Sequence, residues 1–270
     1  MTRSLLLLCL LIGCGGAATG DAEVRDAADA PDRGAPAADE GAPDLGADPR
    51  CEAGSAHVVS FVTDDGVTLE ADLQVASPGE SAAILFHMIP PSNDRSGYPL
   101  GFREALRDAG FTVLNVDRRG AGGSGGVAVE AYEGPTARLD AAAATAFLAG
   151  LPCAPDPARL ALIGASNGTT TVLDHAVWTQ SNAFSPAALV FLSGGSYTEN
   201  QNTIADHRAF LEGLPILFVY PSAEAAWNEG FVDSETWTFQ ELTPGRHGTR
   251  LFQSDGEAVT AGILAHLTDL

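Results

Sequence analysis

The chain has 270 residues and a formal charge of −21, because 35 aspartate and glutamate residues outnumber 14 arginines and there is no lysine. This acidic balance argues against nucleic acid and anionic lipid surfaces as partners, since both present phosphate groups that the chain would repel. The part of the chain expected to fold, residues 51–270, has a length that suits one α/β domain with a sizeable core better than two small domains.

The N-terminus predicts export. Arg3 is followed by an apolar run over residues 5–12, which is too short to span a bilayer and is typical of an export signal. Residues 11–14, Leu-Ile-Gly-Cys, resemble the lipobox of bacterial lipoproteins, in which a small residue precedes a cysteine that is acylated. The resemblance implies a signal peptide over residues 1–13 and a lipid on Cys14 that anchors the protein to the bacterial cell envelope, on its periplasmic or outer surface. A plain secretory signal with an incidental cysteine is the alternative.

Residues 14–50 are expected to form a disordered acidic tether. After the cysteine this stretch consists largely of alanine, glycine, proline and acidic residues, and it contains no aromatic residue, so it cannot bury enough apolar surface to fold. The folded domain is expected over residues 51–270. Cys51 and Cys153 are the cysteines left after the signal is removed and Cys14 is acylated, and an exported protein is expected to join them in a disulfide.

The domain should begin with a β-hairpin and continue as alternating strands and helices. Residues 58–63 and 67–75 alternate apolar and polar residues around Asp64-Asp65-Gly66, which predicts a hairpin. Short apolar runs then alternate with helix-length segments, as in a parallel sheet covered on both faces. The apolar runs are residues 82–87, 111–117, 159–164, 187–193, 215–220 and 236–242. The predicted helices are residues 102–109, 137–148, a segment that begins at Asn167, and 256–267.

Two segments fit the pattern G-x-S-x-G. Residues 164–168, Gly-Ala-Ser-Asn-Gly, follow an apolar run and precede a helix-compatible segment. A nucleophile elbow needs this context, because it presents a strained serine at a helix N-terminus, where developing negative charge is favoured. Residues 122–126, Gly-Gly-Ser-Gly-Gly, fit the pattern too, but no helix follows them directly. Ser166 is therefore the candidate nucleophile, and Ser124 is interpreted as a loop residue.

Two further segments resemble the α/β-hydrolase family. Residues 117–124, Asp-Arg-Arg-Gly-Ala-Gly-Gly-Ser, resemble the D-x-R-G-x-G-x-S segment that follows the fourth strand, and residues 85–91 resemble the end of the third strand, where the oxyanion loop begins. The chain looks most like the dienelactone-hydrolase-like and small esterase-like branches. The resemblance implies a three-layer α/β fold with a mostly parallel eight-stranded sheet and helices on both faces. The short segment 194–214 leaves no room for a large lid.

The resemblance also implies roles for single residues. Ser166 would attack the substrate, His247 in the loop after the last strand would be its base, and Glu224 after the seventh strand would be the acid. This order along the chain, serine, acid and histidine, is the order of the family. Glu229 and Asp233 lie close behind Glu224 and stay open as alternative acids.

The oxyanion donors would be the backbone N–H groups of Ile89, with Met88 second, and of Asn167, which follows the nucleophile. Met88 and Pro221 depart from the pattern, because the family usually has glycine at both positions. His87, at the end of the third strand, is expected to support the oxyanion loop and not to act as the base.

The remaining histidines are expected on the surface or in the core. His57 is placed before the first strand, His175 and His207 on helical stretches, and His266 in the last helix.

These features predict a serine hydrolase that cleaves a carboxylic ester or a related acyl bond through an acyl-enzyme, with neither a metal nor an organic cofactor. The expected partners are a small-molecule ester or acyl substrate and the membrane that holds the anchor. Two alternatives stay open. One is an inactive, surface-anchored binding module that has kept the hydrolase fold, and the other is a peptidase or acyltransferase with the same triad.

Overall fold

The computed structural model of the protein describes residues 48–77, 79–133, 135–180, 185–198, 201–268 and 270. The expected signal peptide, the expected lipid attachment at Cys14 and most of the expected tether lie outside these residues. The described residues from 48 onward belong to one compact unit. Within the described part, no helix is long and apolar enough to cross a membrane.

The described part of the chain begins with a short turn that includes the last two residues of the expected tether. Pro49–Cys51 forms a 3₁₀ turn, and the Asp48 side chain caps it by accepting a hydrogen bond from the Arg50 N–H at 2.9 Å. An aspartate cap and a proline stabilise this turn, which composition alone does not reveal.

Within the described residues, the strands are β1 (Ala56–Val62), β2 (Thr68–Gln74), β3 (Ser81–Phe86), β4 (Phe111–Val116), β5 (Leu160–Ala165), β6 (Ala188–Leu192), β7 (Ile216–Pro221) and β8 (Trp237–Leu242). They form an eight-stranded sheet in the order β1-β2-β4-β3-β5-β6-β7-β8. β2 pairs antiparallel with both β1 and β4, and all other neighbours are parallel. The predicted sheet is confirmed.

The predicted hairpin is present, with Gly66 at a φ of +85° in its turn. β1 starts earlier than expected, so His57 lies within the strand, opposite Leu73, and the prediction that it precedes the strand was wrong. The His57 ring nitrogen Nε2 lies 2.9 Å from the Pro49 carbonyl oxygen, a contact that helps to join the first turn to the sheet.

The α-helices in the described part of the chain are α1 (Leu100–Asp108), α2 (Arg138–Ala149), α3 (Asn167–Thr179), α4 (Arg208–Leu211), α5 (Ala225–Asn228) and α6 (Leu251–Leu267). Side chains of β3 alternate between the two faces of the sheet: Ala82, Ile84 and Phe86 join the core under α2 to α5, whereas Ala83 and Leu85 join the core under α1 and α6. This arrangement confirms the predicted three layers, because strands that are buried on both faces need helices on both sides.

Two helices begin before their predicted first residues. α1 starts at Leu100 and α6 starts at Leu251, after a 3₁₀ turn over Gly248–Arg250. Asp255 is non-helical inside α6, with φ −139° and ψ 30°, so the following Gly256 adjoins a kink and does not mark the helix start. Between β6 and β7, the described residues contain only the four-residue helix α4, which agrees with the prediction of no large lid.

Cys51 and Cys153 form a disulfide, as predicted. It joins the start of the domain to the turn between α2 and β5, across a sequence separation of 102 residues. In the chain-entropy account, closing a loop of this length stabilises the fold by about 4–5 kcal/mol.

Candidate active site

Ser166 stands at the end of β5 with a φ of +50°, directly before α3. A non-glycine residue in this region of φ is strained and must be held by its surroundings. A Cβ added to Gly164 would lie 2.5 Å from the Gly168 carbonyl oxygen, and a Cβ added to Gly168 would overlap the Phe86 carbonyl oxygen. Both glycines of the pentad are therefore required by close approach of the backbone.

The side chains of Ser166, His247 and Glu224 form one hydrogen-bonded chain. His247 Nε2 lies 2.7 Å from Ser166 Oγ, and His247 Nδ1 lies 2.7 Å from Glu224 Oε1. A carboxylate only accepts hydrogen bonds, so Nδ1 carries the proton and Nε2 is free to accept the serine proton. The structure thus brings together the three residues that the sequence analysis selected as a catalytic triad.

Glu224 ends a 3₁₀ turn, Ser222–Glu224, that follows β7 directly. Of the two alternative acids, Asp233 pairs instead with Arg208 at 2.8 Å, and Glu229 begins the later turn Glu229–Phe231. Among the three acids considered, Glu224 is the one whose carboxylate contacts His247.

The proline at position 221 is accommodated by the histidine loop. A Cβ added to Gly245, which has a φ of +60°, would lie 2.8 Å from Pro221 Cβ. The chain before His247 therefore passes directly over the proline ring, and it can do so because the facing residue is glycine.

Two of the three expected oxyanion residues, Asn167 and Met88, lie close to the serine. Asn167 is the first residue of α3, and the first N–H groups of a helix have no acceptor within it. A Cβ added to Gly248 would overlap Met88 Sδ and would lie 3.4 Å from Ser166 Cβ, so the buried Met88 side chain reaches the vicinity of the serine. Ile89 follows it at the protein surface, 38% exposed. The donor roles of these N–H groups stay predictions.

His87 is fully buried beneath this loop. Its Nε2 accepts a hydrogen bond from the Arg118 N–H at 2.9 Å, and its Nδ1 lies 2.7 Å from the Met88 carbonyl oxygen, to which it donates. Burial, reinforced by the nearby positive charge of Arg118, lowers the pKa of His87 to about 3. Both ring nitrogens are therefore engaged in a neutral side chain, an arrangement suited to support of the loop.

Tyr197 is a site residue that the sequence analysis missed. Its hydroxyl donates to the Ser193 carbonyl oxygen at 2.6 Å, and its ring meets the His247 ring edge-on, with centroids 6.0 Å apart. Burial and the negative charge of Glu224 raise the pKa of Tyr197. The phenol stays protonated near neutral pH, beside the candidate nucleophile.

The loop that holds Tyr197 is fastened to α3. Gln201 Oε1 accepts from the N–H groups of Tyr197 and Thr198 at 2.9 and 2.8 Å. Asp174 Oδ1, on α3, accepts from the Asn202 N–H at 2.9 Å. No sequence motif marks this loop, because it is short, polar and rich in glycine and serine.

Ser124, the competing serine, has its hydroxyl engaged by the backbone. Its Oγ donates to the Asp117 carbonyl oxygen at 2.6 Å and accepts from the Glu70 N–H at 2.8 Å. The hydroxyl thus joins the loop after β4 to β2.

The other histidines have partners away from the triad. His207 Nε2 lies 2.9 Å from Asn202 Oδ1, and His207 caps α4 and does not lie within it, so its predicted helical position was wrong. His175 lies in α3, where burial lowers its pKa to about 4, and His266 lies in α6. In the described part of the chain, no group of three or more histidine, cysteine, aspartate or glutamate side chains is arranged to hold a metal ion.

Comparison with known proteins establishes the fold. No protein-family model matches the chain, and no curated protein matches it. Solved structures do match: the α/β hydrolase GrgF of Penicillium has a TM-score of 0.59 at 16% identity and covers 80% of this chain and 98% of its own. An esterase of Pyrococcus furiosus has a TM-score of 0.57 at 17% identity, covering 80% and 91%. A dienelactone hydrolase of Anabaena variabilis has a TM-score of 0.54 at 16% identity, covering 78% and 95%. The chain therefore has the α/β-hydrolase fold.

Proposed function

We propose that this protein is a serine hydrolase that cleaves a carboxylic ester or a related acyl bond. The observation on which the proposal rests is the hydrogen-bonded chain from Glu224 through His247 to Ser166, with both links at 2.7 Å. The fold is shared with an esterase and a dienelactone hydrolase, which supports hydrolysis as the class of reaction. The intact triad geometry favours an enzyme over a binding module that has kept only the fold.

In the proposed reaction, Ser166 Oγ attacks the substrate carbonyl carbon while His247 Nε2 takes the hydroxyl proton. Glu224 holds the imidazole in the required tautomer and stabilises it when it becomes charged. The carbonyl oxygen becomes an oxyanion that accepts hydrogen bonds from the N–H groups of Asn167 and Ile89, with Met88 as the second candidate on that loop.

Collapse of the tetrahedral intermediate breaks the bond to the leaving group, which receives the proton from His247. The acyl group is then esterified to Ser166. A water molecule gives a proton to His247 and attacks the acyl carbon, and a second collapse releases the carboxylic acid and returns the proton to Ser166 Oγ.

The proposed substrate is a small molecule. A cleft of about 230 Å³ is lined by Met88 of the oxyanion loop, whereas the three triad side chains do not line it. Its walls combine apolar and polar side chains, a mixture that small-molecule sites use to bind and to orient a ligand. The lining includes Met88, Ser96, Pro99, Thr249, Phe252 and Gln253.

The test is hydrolysis of p-nitrophenyl esters of increasing acyl length by the full-length chain, together with labelling by a fluorophosphonate, which reacts with activated serines whatever the acyl preference. We expect hydrolysis and labelling in the wild type and loss of both in His247→Ala, because the serine then lacks its base. A folded wild-type protein that shows neither reaction would contradict the proposal and favour the binding module.

We also propose that the protein is exported and anchored to the cell envelope through a lipid on Cys14. The support is the lipobox-like sequence before this cysteine. Metabolic labelling with radioactive palmitate in a bacterial host should mark the wild type and should not mark Cys14→Ser. Equal labelling of the two proteins, or none of the wild type, would contradict the anchor.

A further inference from the structure

Arg118 is a fully buried arginine at the point where β4 leads into the D-x-R-G loop. Its guanidinium contacts several separate segments of the chain. Nη1 donates to the carbonyl oxygens of His87 and Met88 at 3.3 and 3.4 Å, and Nη2 donates to Asn167 Oδ1 at 2.9 Å and to Thr171 Oγ1 at 2.8 Å. Nη2 also donates to the Ala131 carbonyl oxygen.

Two of these acceptors, the carbonyl oxygens of His87 and Met88, lie in the oxyanion loop. The His87 and Met88 carbonyls belong to the peptide groups whose nitrogens are those of Met88 and Ile89. Neither peptide is cis, and in a trans peptide the C=O and N–H bonds point in opposite directions. Because Arg118 draws both carbonyls toward itself, the Met88 and Ile89 N–H groups are turned away from it. The Arg118 N–H also holds His87 Nε2 at 2.9 Å.

Two other acceptors lie on the helix that supplies the second expected donor. Asn167 presents its side-chain oxygen to Arg118 and donates from Nδ2 to Thr198 Oγ1 at 2.9 Å. Thr171 lies one turn farther along α3 and also accepts from Arg118. The guanidinium therefore fixes the first turn of α3 relative to the oxyanion loop, which comes from a different strand of the sheet.

The neighbouring Arg119 shows that burial alone does not produce this arrangement. Arg119 is as deeply buried, but it pairs with the carboxylates of Asp140 at 2.7 Å and Asp65 at 2.8 Å. The hydrogen-bond acceptors of the Arg118 guanidinium among the described residues are all neutral oxygens. Burial lowers the pKa of Arg118 to about 10, so its side chain is still positively charged at neutral pH.

We propose that Arg118 is a positioning residue that holds both halves of the oxyanion hole at the separation the tetrahedral intermediate requires. Its planar fork spans from the Met88–Ile89 loop to Asn167, and its charge favours negative charge on the substrate oxygen. This inference rests on the function proposed above, because it concerns stabilisation of the oxyanion formed when Ser166 attacks.

The test compares full-length Arg118→Lys and Arg118→Met with the wild type, using p-nitrophenyl acetate as substrate and a phenylboronic acid as a tetrahedral inhibitor. We expect kcat to fall about 10- to 100-fold in Arg118→Met. This loss should not exceed the loss of kcat caused by deleting an oxyanion donor. KM should change less than about twofold. Boronate affinity should fall in parallel with kcat. Lysine supplies a positive charge but not the planar guanidinium group. The kcat of Arg118→Lys should therefore lie between the values of Arg118→Met and the wild type.

Arg119→Lys is the matched control. It removes the fork of an equally buried arginine that contacts no oxyanion residue, so the free energy of unfolding should fall while kcat stays within about twofold of wild type. A merely structural role for Arg118 would make the two lysine variants behave alike.

The outcomes separate this inference from the proposed function. An active wild type with unchanged kcat and boronate affinity in Arg118→Lys would overturn the role of Arg118 alone. An equal loss of kcat in Arg119→Lys would also overturn it. If Arg118→Met fails to fold, Arg118→Lys decides the question. A folded wild type that neither hydrolyses the ester nor binds the boronate would overturn both proposals.

Discussion

Two segments of this protein have nearly the same sequence pattern, but their serine hydroxyls contact different groups. Residues 164–168 and residues 122–126 both place a serine between glycines after a buried strand. At Ser166 the backbone is strained, a helix follows at once, and the hydroxyl meets a histidine. At Ser124 the hydroxyl lies between the Asp117 carbonyl oxygen and the Glu70 N–H.

The difference shows what the glycines are for in each segment. At Gly168 the missing side chain lets the helix approach the backbone of β3, whereas at Gly122 it makes room for the Asp117 carboxylate. The first arrangement exposes a hydroxyl to a base, and the second builds a polar turn. The chemistry therefore follows from what comes after the glycines, which is a helix in one case and a loop in the other.

Removal of each serine hydroxyl in turn should produce the largest difference in activity between the two segments. Ser166→Ala should lower kcat/KM for ester hydrolysis by about 10⁴-fold or more, because the nucleophile is lost. Ser124→Ala should leave kcat/KM within about twofold and lower the free energy of unfolding by about 1 kcal/mol, since two hydrogen bonds to the backbone are lost. Steady-state kinetics and urea unfolding of both variants give the answer. Comparable activity losses in the two variants would show that the pentad assignment is wrong.

Glu224→Gln tests the same difference between the two segments, because Ser166 contacts a histidine that is paired with an acid, whereas the hydroxyl of Ser124 contacts backbone groups. An amide in place of the carboxylate should favour the wrong imidazole tautomer and lower kcat about 10²- to 10⁴-fold. Glu229→Gln is the matched control and should keep the wild-type rate. Equal rates for Glu224→Gln and the wild type, measured on one ester across several pH values, would exclude Glu224 as the acid.

The glycines of both segments should resist substitution. Gly168→Ala would overlap the Phe86 carbonyl oxygen, and Gly122→Ala would overlap the Asp117 carboxylate at a φ of +53°. Each should lower the free energy of unfolding by about 1–3 kcal/mol. Gly101→Ala, at a helical position with no atom within 4 Å of the added Cβ, should raise it by about 0.5–1 kcal/mol. Urea melts that rank Gly168→Ala beside Gly101→Ala would contradict the close packing of the elbow.

His87, which is buried beneath the oxyanion loop, should make the fold sensitive to acid, because its pKa is lowered to about 3. Above about pH 6.5 both the folded and the unfolded chain hold this ring neutral. As the pH falls below that value, the unfolded chain binds a proton that the folded chain excludes, so the free energy of unfolding decreases by up to about 1.4 kcal/mol per pH unit. His87→Gln should show a shallower decrease between pH 7 and pH 5. Identical slopes for wild type and variant would remove His87 from this account.

Tyr197→Phe should have the smallest effect, because it removes a single hydroxyl at the edge of the site. Loss of a neutral hydrogen bond is worth about 0.5–1.5 kcal/mol, so kcat/KM should fall about two- to tenfold while the fold stays intact. Ser196→Ala, at an exposed position of the same loop, should leave kcat/KM unchanged. A wild-type kcat/KM in Tyr197→Phe would show that the hydroxyl of Tyr197 has no part in the site.

Several features were predictable from the sequence because they leave local patterns. The elbow combines a buried strand, small flanking residues and a helix start, and the pairing of the cysteines was expected from the predicted export signal. Arg118 was missed because arginine is rarely fully buried without a charged partner, and because it occupies the unspecified position of the D-x-R-G pattern. Tyr197 was missed because its position depends on hydrogen bonds from Gln201 and Asp174, which no pattern around the tyrosine encodes.

The central claim is that Ser166 is the activated serine, and mapping a fluorophosphonate adduct tests it most directly. The full-length protein would be labelled, digested with proteases that suit its lysine-free sequence, and analysed by tandem mass spectrometry. A single adduct on Ser166 is expected, and it should be absent when the protein is denatured before labelling. An adduct on Ser124, or a folded protein that takes up no probe, would contradict the claim.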